Sequence, residues 1–172
     1  MGFLLLLPFF LVRFGLLSLL SKEALKRAAS FAPLMDHEKT AYGLYQISNV
    51  AIIVCLLFLR IAFAPSWLFY MGATAYAAGI LLLAVSVVNF AAPAENGINL
   101  NGVYRLSRNP MYVAYFICFM GCALLTQSLI LFVFVLVFQI TAHTIIRSEE
   151  RWCIQKFGDA YRRYMESVRR YI

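Results

Sequence analysis

Charge is what this chain has least of. Only 13% of its 172 residues are Asp, Glu, Lys or Arg, while 63% are hydrophobic and mean hydropathy is +0.78; soluble domains carry about a quarter charged residues. A water-soluble globule is excluded, and an integral membrane protein is implied. Histidine is scarce too: His37 and His143 are the only two, and the four cysteines, Cys55, Cys118, Cys122 and Cys153, show no CxxC pairing. No metal centre is expected. Cys118 and Cys122, four residues apart on one helix face, read as small apolar packing residues rather than a redox pair. Internal repeats and low-complexity linkers are missing, which leaves a single domain over residues 1–172.

Targeting signals are lacking as well. The leading residues have no basic segment, Arg13 interrupts the first apolar run and no small-residue cleavage site follows Leu20, so that run is expected to stay as a helix. Leu6 stands where a myristoylation signal needs Ser or Thr.

What the chain has is apolar length. A bilayer core of about 30 Å needs about 20 helical residues, and apolar runs cover residues 3–20, 42–64, 67–91, 111–125 and 129–146. The fold class is therefore all-α: a polytopic membrane protein with about five transmembrane helices, the last two forming a helical hairpin. Beyond them Trp152, Phe157, Tyr161, Tyr164 and Val168 recur at helical spacing between charges, which predicts an amphipathic C-terminal helix on the membrane surface, with a turn at Gly158.

Basic residues orient the spans. Of the 15 Lys and Arg, Lys22, Lys26, Arg27 and Lys39 follow the first span, Arg105 and Arg108 follow the third, and seven more lie from Arg147 onward. Arg13 and Arg60 fall inside predicted spans, and the opposite connections carry no charge. By the positive-inside rule the N-terminus faces outward and the C-terminus the cytoplasm. The net charge of +7 sits beside helix ends, where it suits anionic lipid headgroups rather than nucleic acid.

Chemistry concentrates in residues 101–172. Asn109 and Pro110 stand as N-cap and first helical residue of the fourth span, and a helix start of this kind presents free N–H groups to an anion. Glu149 and Glu150 lie just beyond the fifth span, placed to bind ribose hydroxyls or an ammonium group, or to pair with Arg147 or Arg151. Gln139, His143 and Arg147 repeat every four residues as a polar stripe leading toward Glu150. An ionisable residue within a span faces protein or a water-filled cavity, which makes His143 a catalytic candidate; Arg147, with its fork of donors, suits an anionic substrate group.

These residues resemble the isoprenylcysteine carboxyl methyltransferase and phospholipid methyltransferase family. The family pattern G-V-Y-x-x-x-R-H-P-x-Y, a glycine-containing helical hairpin and E-E-x-x-L-x-x-x-F-G-x-x-Y-x-x-Y fall on Gly102 through Tyr164, with Asn109 in place of histidine, Ala114 of glycine and Cys153 of leucine. The first two helices carry no comparable signature. The resemblance implies an S-adenosylmethionine-dependent methyltransferase whose lipid-like or prenylated substrate enters from the bilayer. It implies cofactor contacts at Asn109, Pro110, Met111 and Tyr112, at Gly121, Cys122, Ala123 and Leu124 on the fourth span, and at Glu149 and Glu150. Arg147 would bind substrate.

Methyl transfer from a sulfonium is a direct displacement that needs in-line placement away from water, not a protein nucleophile. A prenylcysteine carboxylate is already nucleophilic; a phosphatidylethanolamine ammonium must first lose a proton, to a base such as His143 or Glu150. Carboxyl O-methylation of an isoprenylcysteine-type substrate is the expectation, with phosphatidylethanolamine N-methylation as the alternative suggested by Asn-Pro-Met-Tyr. Two other classes stay open: an NADPH-dependent sterol-reductase-like enzyme, which the end of the chain also resembles, and a non-catalytic membrane protein.

Overall fold

The computed structural model describes residues 1–30, 32–94 and 97–172, and of Ala29 and His37 only the backbone. The part of the predicted 92–109 loop at positions 95 and 96, and any role for the His37 side chain, lie outside the described residues.

Every regular element among the described residues is helical. Helix α1, Gly2–Leu20, is composite, with a π-helical segment at Leu11–Leu16. It is followed by α2 (Lys22–Ala29), α3 (Asp36–Phe58), α4 (Trp67–Ala91), a 3-10 turn (Gly102–Arg105), α5 (Pro110–Thr126), α6 (Leu129–Phe157) and α7 (Asp159–Ser167). Among the described residues, four stretches are long and apolar enough to cross a membrane: Gly2–Leu20, Glu38–Phe58, Trp67–Ala91 and Leu129–Phe157. Pro110–Thr126 is the shorter fifth, spanning about 26 Å at 1.5 Å per residue.

Local chemistry sets the ends. Ser66 Oγ accepts from Phe69 N–H at 3.3 Å and Ser128 Oγ from Leu131 N–H at 3.2 Å, serving as N-caps of α4 and α6. Gln127, at φ +49°, takes the left-handed conformation that ends α5 and allows a two-residue connection to α6.

Two boundaries differ from the sequence reading. The second span stops at Phe58, and residues 59–66 are not helical; main-chain groups among them bind neighbours instead, Leu59 C=O accepting from Gly2 N–H at 2.8 Å and Ala62 N–H donating to Leu125 C=O at 2.9 Å. Arg60 therefore lies outside the helix, exposed. At the other end, the fifth span continues unbroken to Phe157, and the turn at Gly158 (φ +56°) separates it from α7, whose Tyr161 and Tyr164 are buried against Ile98.

The last two spans are neighbours but not each other's main partners. Helix α5 packs most extensively on α4, and α6 on α3. Glycines explain the α4–α5 preference. A Cβ at Gly121 would stand 2.5 Å from Tyr76 N, one at Gly79 would stand 2.6 Å from Cys118 N, and one at Gly72 would stand 2.9 Å from Leu125 N. Small residues let backbones approach in a medium where hydrophobicity drives no helix association. Cys118 and Cys122 are buried in this seam as free thiols.

Candidate functional site

A cavity of about 530 Å³ opens where the basic ends of the helices meet the loop before α5. Its wall comes from every part of the chain: Arg13 of α1, Lys26 and Arg27 of α2, Tyr45 of α3, Phe90 of α4, Tyr104 and Asn109 of the loop, Met111, Tyr112 and Tyr115 of α5, Glu149, Trp152 and Lys156 of α6, and Tyr161 and Tyr164 of α7.

The loop is held from behind by the C-terminal segment. Arg108 donates to Glu150 Oε1 through Nε (3.1 Å) and Nη2 (2.9 Å), and through Nη1 to the carbonyls of Met165 (2.8 Å) and Val168 (2.9 Å). Arg170 donates to the same carboxylate, Nη2 to Oε2 at 2.8 Å. Its hydrogen bonds to the Glu150 carboxylate hold the Arg170 guanidinium above its already high ordinary range. Two charge-assisted pairs on one carboxylate, itself 4% exposed, make a clasp that fixes the loop, the tail and α6 together. Tyr164 OH adds a 2.6 Å bond to Tyr104 C=O, and burial pushes the Tyr104 phenol well above its usual range. A second pair, Arg151 to Glu38 at 2.7 Å, ties α6 to the start of α3.

Asn109 does not cap α5 with its side chain as expected. Its Nδ2 donates to Arg170 C=O at 3.1 Å, and its own N–H donates to Ser107 Oγ at 3.2 Å. The tail has captured the amide that would otherwise turn back onto the helix. Pro110 occupies the first helical position, buried. Tyr112 OH donates to Glu149 Oε1 at 3.0 Å, joining the two predicted cofactor-contact segments across the cavity.

The structure thus brings Asn109, Met111, Tyr112, Glu149 and Glu150 to one cavity, but the paired glutamates differ. Glu150 is engaged by Arg108 and Arg170, while among the described residues Glu149 enters no ion pair. Neither pairs with Arg147 or Arg151, because Arg151 reaches Glu38 instead. Other predicted residues lie elsewhere. Gly121, Cys122 and Ala123 are buried, and Gly121 meets α4 backbone; they and Leu124 sit about 18 Å or more along α5 from Asn109 and do not line the cavity. Arg147 is exposed and outside the cavity wall. His143 is also outside it, its Nδ1 lying 2.8 Å from the Tyr171 hydroxyl. Replacing His143 by Ala removes one hydrogen bond, so a loss of about 1 kcal/mol in stability with unchanged ligand affinity is expected from paired melting and calorimetry.

Missed at the sequence level were the aromatic wall and the contributions of α1 to α3. The one available signal was Arg13, a charge inside an apolar run. Its Nη2 donates to Ala28 C=O at 3.0 Å, and its Nη1 is buried with no hydrogen-bond partner among the described residues. Among the described residues no three His, Cys, Asp or Glu side chains gather as a metal ion would need.

Residues 84–160, just under half of the chain, match the family model described as phospholipid methyltransferase. No curated protein and no solved structure matches the chain. The matched segment contains the loop, α5, α6 and the first two residues of α7, and so most of the residues that line the cavity. The similarity to phospholipid methyltransferases covers that segment, and it supports a membrane methyltransferase acting on lipid.

Proposed function

We propose, from the phospholipid methyltransferase signature of residues 84–160, that the chain is a single-domain S-adenosylmethionine-dependent methyltransferase whose acceptor is a lipid-like molecule carrying a carboxylate, of the isoprenylcysteine type. The carrying observation is the pairing of Tyr112 with Glu149 inside the cavity. The residues suit the cofactor: about 530 Å³ falls within the range of small-ligand pockets, about 300–1,000 Å³, and the wall offers aromatic rings, the Glu149 carboxylate, which enters no ion pair among the described residues, and the Arg13 side chain. Asn109, Met111, Tyr112 and Glu149 would hold it, with Glu149 taking an ammonium or ribose hydroxyls. Bound there, S-adenosylmethionine would supply an electrophilic methyl group on a sulfonium.

The protein's part is placement and dryness. The clasp through Glu150 fixes the loop bearing Asn109 to Tyr112, and the aromatic wall excludes water, which is the positioning that a displacement needs. Chemistry of the wall bears on the acceptor. An ammonium acceptor calls for a base, yet Glu150 is neutralised by two guanidinium groups, His143 lies outside the wall and the Tyr104 phenol is held protonated. A carboxylate acceptor needs none. The second reading, N-methylation of a phospholipid amine, is favoured by the description of the matching family and by Asn109-Pro110-Met111-Tyr112; Glu149 would then have to accept the proton. The N-terminus-out orientation, with the cavity on the cytoplasmic face, belongs to the same proposal.

Calorimetric titration of detergent-purified protein with S-adenosylhomocysteine, with NADPH in parallel, tests the reading. Glu149→Gln is expected to weaken S-adenosylhomocysteine about tenfold or more, as loss of a charge-assisted contact does, while leaving the melting temperature near wild type. Folded protein that ignores S-adenosylhomocysteine would sink the proposal, and NADPH binding would replace it with a reductase. Methyl transfer to farnesylated cysteine, against transfer to phosphatidylethanolamine, decides the acceptor.

A further inference from the structure

Arg13 is the least expected residue in the cavity. It sits within a stretch otherwise apolar enough to span a membrane, where an ionisable side chain is kept for a purpose. The backbone around it is π-helical over Leu11–Leu16, a distortion found frequently at functional sites. One guanidinium nitrogen is anchored on Ala28 C=O at 3.0 Å, and the planar group lies 5.9 Å from the Tyr115 ring and 5.5 Å from that of Phe14. The other terminal nitrogen is buried and finds no hydrogen-bond partner among the described residues, while the Arg13 side chain as a whole lines the cavity. An arginine does not shed its proton, so burial leaves a positive charge with unmet donors, a costly arrangement unless an anion completes it. Carboxylates and phosphates match the guanidinium fork.

We propose that Arg13 is the anion-binding group of this cavity, holding a carboxylate or phosphate that a bound molecule presents toward α1. The anion belongs either to the amino-acid end of the cofactor or to the acceptor. The inference rests on the methyltransferase reading for its cofactor arm only. Glu149, which accepts from Tyr112 and enters no ion pair among the described residues, lines the same cavity, so its wall carries both signs of charge to orient a ligand that also carries both.

The test compares wild type, Arg13→Gln and Arg13→Lys, each checked by thermal melting. In the first arm, calorimetry sets S-adenosylhomocysteine against 5′-deoxy-5′-methylthioadenosine, which lacks the amino-acid end. In the second, fluorescence of Trp152, which lines the cavity, reports binding of farnesylcysteine against its methyl ester, and of a short-chain phosphatidylethanolamine against the matching diacylglycerol. Arg13→Gln is expected to weaken the anion-bearing member of one pair by about 10- to 100-fold, the size of a lost hydrogen bond to a charged group, and to spare its anion-free counterpart. Arg13→Lys restores part of the loss. The arm that responds names the source of the anion. Wild type that ignores S-adenosylhomocysteine while the lipid arm responds removes the cofactor reading and leaves Arg13 in place. Equal weakening of both members of every pair assigns Arg13 to structure alone and overturns the proposal, as does a wild type that discriminates within no pair.

Discussion

Glu150→Ala is expected to lower stability by about 3–5 kcal/mol, the cost of removing one member of a buried ionic cluster. The carboxylate accepts from two guanidinium groups, and its loss leaves Arg108, 7% exposed at its side chain, facing Arg170 without a counter-charge. The tail should then leave the loop, because Arg108 also carries the bonds to the Met165 and Val168 carbonyls. Limited proteolysis should cut residues 165–172 faster, and melting in detergent should fall by many degrees. Glu150→Gln, which keeps the acceptor oxygen, should lose less. The pattern is opposite to that of Glu149→Gln, where binding falls and melting holds. Equal behaviour of the two variants would remove the distinction between a clasp and a ligand contact.

Gly121→Val should be as damaging for a different reason. The added Cβ would meet Tyr76 N at 2.5 Å and Gly72 C=O at 2.9 Å, both main chain, so no side chain can turn aside. Overpacking typically costs about 1–3 kcal/mol, and with α4 backbone as the obstacle the upper end or beyond is expected. Melting and the yield of monodisperse protein are the measurements. Gly43→Ala is the control: nothing stands within 4 Å of its Cβ position, and the helix should gain up to about 1 kcal/mol. Should Gly121 line the cofactor pocket, as the resemblance implies, affinity would drop at unchanged melting instead.

Sequence and structure divide along a physical line. Bilayer crossing depends on apolar length, a local property, so the all-α class, the five apolar helices and the turn at Gly158 could be read directly. Likewise Asn109 to Tyr112 and the paired glutamates could be found as motifs, because a loop and a helix end announce themselves in residue type. Which glutamate enters the ion pairs could not. Neighbours on one helix, Glu149 and Glu150 point in different directions, and only packing turns one toward Tyr112 and the other toward Arg108 and Arg170, 42 and 20 residues away.

The same holds for the rest of the cavity. Gly121 to Leu124 lie within the signature, yet the close approach of α4 commits Gly121 to the helix seam, an outcome set by a partner more than 40 residues earlier in the chain. Arg13 could be noticed as a charge out of place, but not that it lines the same cavity as Glu149. By itself the sequence determined an all-helical membrane protein with a methyltransferase signature, since hydropathy and short motifs are local. Tertiary structure alone decided which side chains converge and which charges are already satisfied, since both depend on contacts between segments far apart in the chain.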